Sequence, residues 1–354
     1  MTFSNFELVG IASRIFHSFL CIQDANFDAF DSTLLSCESW HSFEITLTIT
    51  KNSFHRNEDY SRVRDFLIET YNITKRYQNW IPSMFENTWR GPCGTEYKDE
   101  EDEQIKIWED DEKQSSDSDI VAVTICKPNG ECRIFIHPDY RQLERDLVPW
   151  LEEQIQEIQK DQEKKLLFFC INEWDAHRQE LLRELGYEDN GFIEHERIRP
   201  VDLPIPEVVL PEGYTIRHVD VEKDFEEYHS VLSSVFKHCM NMTPHLAKVY
   251  SEAEFYNEEL DIVVVAPDGR FAAFTTVRID PVSRFAEFEP VGVHPDHRRK
   301  GLAMAICSEG LRRLDKYNPK SITIIGAAST EAATKLYDAL GFSCSNIHYW
   351  EKRL

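Results

Sequence analysis

Between Glu289 and Ala303, in EPVGVHPDHRRKGLA, three residues fall in the pattern Arg298-x-x-Gly301-x-Ala303. With no side chain at Gly301, backbone N–H groups can come close to an anion, and Arg298, Arg299 and Lys300 add positive charge at the same place. The apolar spacing predicts a helix from Leu302 to Leu314, and the positive end of its dipole points there too. These residues make a cradle suited to a pyrophosphate. Just upstream, in FAEFEPVGV, Glu287 and Glu289 share strand parity and emerge on one face of a sheet. Two carboxylates this close raise the pKa of one of them, which suits a general base near neutral pH. The other reading of either is a carboxylate that faces solvent or accepts a neighbouring N–H.

Positioning these groups takes a strand, a tight loop and a helix, and the chain then continues in kind. Residues 321–325, SITII, are a β-branched run typical of a buried strand, and TEAATKLYDALGF, residues 330–342, reads as a helix ended by Gly341. The strand, basic loop and helix resemble the acetyl-CoA-binding motif of the GNAT superfamily of N-acetyltransferases, Gln/Arg-x-x-Gly-x-Gly/Ala. The second segment resembles the family's other landmark, Asn-x-x-Ala-x-x-Leu-Tyr-x-x-x-Gly-Phe, with Thr330 where Asn is usual. Thr can cap the helix but cannot offer a two-sided amide to a pantetheine arm.

The resemblance implies acetyl-CoA as cosubstrate; no metal is expected, because the cysteines form no Cys-x-x-Cys pair and the histidines lack ligand spacing. It places Val291 and Val293 along the pantetheine, Arg298, Arg299, Lys300, Gly301, Leu302 and Ala303 around the pyrophosphate, and Thr330 near the arm. It makes Tyr337 the general acid that protonates the departing sulfur; packing in the core is the other reading of that ring. It assigns the base to Glu287 or Glu289 and implies direct transfer in a ternary complex to a primary amine of a small molecule. A non-catalytic acyl-CoA-binding sensor or scaffold is the alternative. Cys307, at an apolar position of the cradle helix, reads as core and not as a nucleophile.

The features of this half recur, eroded, about 155 residues earlier. His137-Pro138-Asp139 mirrors His294-Pro295-Asp296, and LLRELGY, residues 181–187, echoes LYDALGF, residues 336–342. The expected fold is therefore α/β: two tandem GNAT domains, each a mixed, mostly antiparallel splayed sheet flanked by helices, similar to the mycothiol-synthase-like members of the superfamily. Glu144 stands where the second copy has Gly301 and Asp146 where it has Ala303, so charge and bulk oppose a pyrophosphate in the first copy. The expected division is an unassigned extension over 1–45, a degenerate GNAT-like domain over 46–200, a proline-rich linker over 201–213, and the catalytic domain over 214–354. Acceptor specificity falls to about residues 236–256, a stretch with a helical pattern from Thr243 to Tyr256 and no readable code.

Composition limits the partners. A formal charge of −24 argues against nucleic acid, which needs clustered Lys and Arg. The carboxylate-rich run over 96–119 reads as a solvated insertion, with attraction of a cationic amine as the alternative. Nine scattered cysteines without a Cys-x-x-Cys pair read as reduced thiols, and the early apolar stretch Phe6 to Ile22 is broken by Arg14 and His17; both point to a cytoplasmic protein with no membrane partner. His294 and His297 lack metal-ligand context and read as a solvated loop pair beside bound phosphate.

Overall fold

The computed structural model of the chain describes residues 7–8, 47–90, 99–110 and 119–354. The expected extension over 1–45 lies outside the described residues apart from Glu7–Leu8, and so do residues 96–98 and 111–118 of the acidic run; within that run Ile105–Asp110 form a largely buried strand, which corrects the reading of the whole run as a solvated insertion. The first half carries β1 (Glu7–Leu8), β2 (Leu47–Ser53), α1 (Arg56–Thr74), α2 (Pro82–Arg90), β3 (Ile105–Asp110), β4 (Ile120–Cys126), β5 (Cys132–Ile136), α3 (Glu144–Ile158), β6 (Leu166–Asn172), α4 (Ala176–Glu184) and β7 (Glu188–Arg199). The second half repeats the order from β2 onward with β8 (Thr215–His218), α5 (Phe225–Val235), α6 (Pro244–Ser251), β9 (Asp261–Val265), β10 (Phe271–Ile279), β11 (Phe285–Val293), α7 (Leu302–Asp315), β12 (Ser321–Ala327), α8 (Glu331–Ala339) and β13 (Ser343–Arg353).

The central strands are runs of β-branched and aromatic residues, and β4 and β10 are buried at every position, as strands covered on both faces must be. Helix α7 buries Leu302, Ile306, Leu311 and Leu314 against Val277, Phe288 and Ile322, forming the core under the cradle. Helix α8 adds Tyr337, and Leu340 just after it, to the same cluster, and is capped by Thr330, whose side chain accepts from the N–H of Ala333. Close packing at the site strand depends on Gly292, where a Cβ would fall 2.2 Å from the Phe274 ring.

The fold is mixed α/β, with two sheets flanked by helices, but the sheets do not divide as the halves do. One contains β1 to β5 in sequence order, and the other runs β6-β13-β7-β12-β11-β10-β9-β8. Strand β13, the last of the second half, pairs with β6 and β7 of the first, while β7, the last of the first, pairs with β12 of the second. The halves have exchanged their final strands.

Two splays flank this exchange. Strands β11 and β12 run parallel but pair only from Phe285 to Glu287, after which they part. In the first half β5 and β6 are joined at a single parallel bridge, Glu131 with Phe168.

Helix α2 of the first half packs on β11 of the second. Phe285 meets the ring of Tyr71 at 4.5 Å between centroids, and Arg64 pairs with Asp280 at 3.3 Å. Glu86 accepts hydrogen bonds from the backbone N–H groups of Glu254, at 2.9 Å, and Phe255, at 3.4 Å. That contact corrects the expected helical stretch from Thr243 to Tyr256: the helix stops at Ser251 because a carboxylate from the other half takes the amides that would continue it.

Candidate active site

The cradle is built on backbone conformation. Beyond β11, His294 Nδ1 accepts from the N–H of Asp296 at 3.2 Å and starts a 3-10 turn, Pro295–His297. Arg299 then takes φ 65° and Gly301 φ 77°, a left-handed step that favours glycine, and α7 begins at Leu302 with no side-chain cap. Among the described residues, the backbone N–H groups of residues 299–304 have no acceptor, and nothing stands within 4 Å of where a Cβ on Gly301 would lie. Open amides at a helix N-terminus, with room in front of them, fit a phosphate.

The side chains of Arg298, Arg299 and Lys300 are exposed around that opening. Arg298 donates from Nε to the Val293 carbonyl at 3.3 Å. Lys300 Nζ donates to the Tyr214 hydroxyl at 3.0 Å, and that hydroxyl meets His297 Nδ1 at 3.0 Å. His297 is buried, which corrects the reading of the two histidines as a solvated pair; burial and Lys300 hold it below the usual imidazole range, so its ring is a neutral partner for Tyr214. Leu302 is buried in the core and Ala303 is half-buried behind the loop. Val291 and Val293 pair with Thr275 and Ala273 on β10, and their β12 side lies beyond the last β11–β12 pair, at the splay.

Glu287 is buried at 1% exposure, with Arg278 Nη1 3.3 Å from Oε2 and the Ser83 hydroxyl 3.5 Å from the same oxygen. Burial outweighs the ion pair: with Glu289 adding repulsion, it pushes the Glu287 carboxyl up to about 7. Glu289 is half-buried; burial, together with the nearby Glu194, raises its carboxyl as well. Arg278 is held in turn by the Tyr250 hydroxyl at 3.1 Å and by the Phe255 ring at 5.3 Å.

The Tyr337 ring is buried against Phe342, and its hydroxyl has no hydrogen-bond partner among the described residues. Burial, with Cys307 and Glu289 nearby, raises this phenol well above its ordinary value, while Arg197 acts in the opposite direction. Burial pushes the Cys307 thiol up to about 12, so it stays protonated. Cys239 is disulfide-bonded, which corrects the reading of every cysteine as a free thiol. Among the described residues no group of three His, Cys, Asp or Glu is placed to hold a metal, and no helix is long and apolar enough to cross a membrane.

A cavity of about 320 Å³ opens between the halves, lined by Trp80, Met84, Arg133, Glu194, Gly326 and Tyr349. Sequence reasoning put none of these forward as site residues. It also missed Ser83, Tyr214 and Arg278, of which only Tyr214 and Arg278 belong to the half that carries the motif.

In the first half the equivalent loop is closed. His137 accepts from the N–H of Asp139, but the turn Pro138–Leu143 passes straight into α3. Glu144 has no exposed surface and is held by Arg141 at 2.6 Å and Arg178 at 2.8 Å. Burial alone would raise its carboxyl; Arg178 and Arg141 reverse that and hold it at about 2. The expected clash between Glu144 and a pyrophosphate is thus corrected: this carboxylate is already neutralised inside the protein, and Asp146 is the exposed one.

The sequence profile of the acetyltransferase (GNAT) family matches residues 224–342. The mycothiol acetyltransferase of Pseudarthrobacter chlorophenolicus is 23% identical over 235 residues, 63% of this chain and 70% of that protein. That of Streptomyces coelicolor is 25% identical over 142 residues, 40% of this chain and 46% of that protein, so the chain spans about half the length of that relative. Among solved structures, a GCN5-related N-acetyltransferase from Sphaerobacter thermophilus superposes with TM-score 0.61 at 17% identity, covering 86% of this chain and 95% of that one. A tandem GNAT protein from the clavulanic acid biosynthesis pathway superposes with TM-score 0.60 at 14% identity, covering 86% and 98%. Residues 224–342 belong to the acetyltransferase (GNAT) family, and the described residues have the fold of a tandem GNAT protein.

Proposed function

We propose that the chain is an acetyl-CoA-dependent N-acetyltransferase with one working site, in its second half, acting on a primary amine of a small molecule by direct attack. One observation carries this reading: an open amide cradle at Gly301 and a buried carboxyl poised at about pH 7, Glu287, lie on the same strand-loop-helix unit. A protein that only bound acyl-CoA would have no use for the second.

The amides around Gly301, with Arg298, Arg299 and Lys300, would hold the pyrophosphate of acetyl-CoA, and the splay beyond Glu287 would take the pantetheine. When bound, acetyl-CoA supplies an acetyl group activated as a thioester. Glu287, with Glu289 adjusting its pKa, takes a proton from the acceptor ammonium so that the free amine can attack. Tyr337 remains protonated at neutral pH and gives its proton to the departing sulfur. The cavity between the halves, with Glu194 on its wall acting on Glu289, would receive the amine.

Thiol release from acetyl-CoA, followed across a panel of small amines that includes a mycothiol-type acceptor, tests the reading. Turnover on at least one amine is expected, with Tyr337→Phe lowering kcat by about 100-fold or more while CoA affinity stays within about 2-fold. Tight CoA binding with no turnover on any amine would leave a sensor, and no heat with CoA in calorimetry would remove both readings.

A further inference from the structure

We propose that Arg197, carried on the exchanged strand β7 of the first half, is a positioning residue for the site in the second half, its guanidinium set against the ring of Tyr337 so that this phenol can act as an acid. The inference rests on the function proposed above.

Arg197 has no exposed surface, and its guanidinium carbon lies 5.5 Å from the centre of the Tyr337 ring. Strand pairing fixes it there, with Arg197 opposite Ile324 on β12 and Cys344 on β13. Its Nη1 donates to Asp338 Oδ1 at 2.8 Å, while Nε and Nη2 have no partner among the described residues. A buried guanidinium with two idle nitrogens is a costly thing to place in a core. Its single ion pair is to a carboxylate whose side chain is 58% exposed, which offsets little of that cost. What Arg197 does contact is the face of an aromatic ring, where a planar cation is attracted by the ring's quadrupole.

Tyr337 needs that neighbour. Burial raises the phenol, and Cys307 on α7 and Glu289 on β11 push the same way. Asp338, next to it on α8, is tied to Arg197, which alone acts downward. In the acid step the O–H bond of Tyr337 breaks and an S–H bond forms on the departing thiolate; the phenolate regains its proton from water. Each unit by which the phenol exceeds a thiol of about 8.5 costs that transfer about tenfold. A cation on the ring therefore speeds the step without touching the substrate. It also gives the first half, whose own cradle is closed, a part in the chemistry of the second.

A fluorinated tyrosine of low intrinsic pKa placed at position 337 reports the phenol's ionisation through its 19F resonance, in the protein without acetyl-CoA. Arg197→Met should raise the titration midpoint by about one unit. In the unlabelled enzyme it should lower kcat roughly tenfold, with KM for acetyl-CoA nearly unchanged. Asp338→Asn, a surface change that frees the guanidinium from its carboxylate, should move the midpoint down; this second variant decides the matter if Arg197→Met does not fold. A midpoint that stays put when Asp338 is changed, or that fails to rise when Arg197 is changed in a folded protein, overturns the proposal. Absence of turnover on every amine would sink the function proposed above, whereas a flat titration beside a working enzyme would sink only this inference.

Discussion

The loops after His137 and after His294 start alike and end differently. Each opens with a His whose Nδ1 accepts from the N–H of an Asp two residues on, and each leads to a helix under a splayed pair of strands. In the second half the amides of residues 299–304 have no acceptor among the described residues and the space at Gly301 is open; in the first, Glu144 continues the helical turn and closes its carboxylate onto Arg141 and Arg178. Two buried carboxyls, Glu144 and Glu287, separate the halves as well. Guanidinium groups hold the first at about 2, whereas burial takes the second to about 7 even with an arginine beside it. A duplicated scaffold can thus keep one copy for chemistry and turn the other into structure by changing which side chains satisfy each other.

The largest effect is expected on the structural side. Glu144→Ala takes from buried Arg178 its partner at 2.8 Å and leaves only Asp175 at 3.9 Å; it should cost about 3 kcal/mol, seen as a fall in Tm, with no CoA binding gained. Because the folded pKa of Glu144 lies below its unfolded value, its contribution is complete above about pH 4.5 and is lost as pH falls toward 2. Acid unfolding should therefore be less steep over that range in the variant; an identical profile would contradict the assignment.

Gly301→Glu puts the residue of the closed loop into the open one. It should weaken CoA binding at least 100-fold in calorimetry, about 2.7 kcal/mol, with a smaller loss of stability from a side chain at positive φ. Undiminished affinity would show that the cradle is elsewhere.

The two carboxyls can be brought closer in character by changing a neighbour. Glu289→Gln removes one of the groups that raise Glu287, so the acid limb of the kcat/KM profile, expected near pH 7, should move down by up to about one unit. A limb that does not move would transfer the role of base to another group.

The smallest effect belongs to Thr330. Thr330→Ala should cost about 1 kcal/mol through the lost cap on Ala333, and Thr330→Asn should restore it to within a few tenths.

Much of this was legible in the chain itself. The glycine, the three basic residues and the shared parity of Glu287 and Glu289 are local facts, and local facts set the loop and the strand face. The order of elements in each half followed from the repeat. The partners of those elements did not. Strands β7 and β13 are both long and only partly buried, and no residue in either states that each will sit in the other half's sheet. Ser83 and Arg197 were invisible for the same reason: they reach the second half's site only through contacts spanning more than a hundred residues. Arg278 was hidden differently, as an arginine in an otherwise apolar strand whose carboxylate partner sits on the neighbouring strand. The boundary at Ser251 was missed because a distant glutamate, Glu86, outcompeted local helix propensity.

The crossing of β7 and β13 has one more consequence, for the history of such a molecule. A single ancestral copy would have had to fill the place of its last strand itself, or borrow a strand from a twin. Once each half fills that place for the other, neither can be shed: a gene shortened to the segment bearing the motif would encode a sheet missing a rib between β12 and the edge. The worn copy is kept by mechanical necessity, however far its own loop drifts from binding anything.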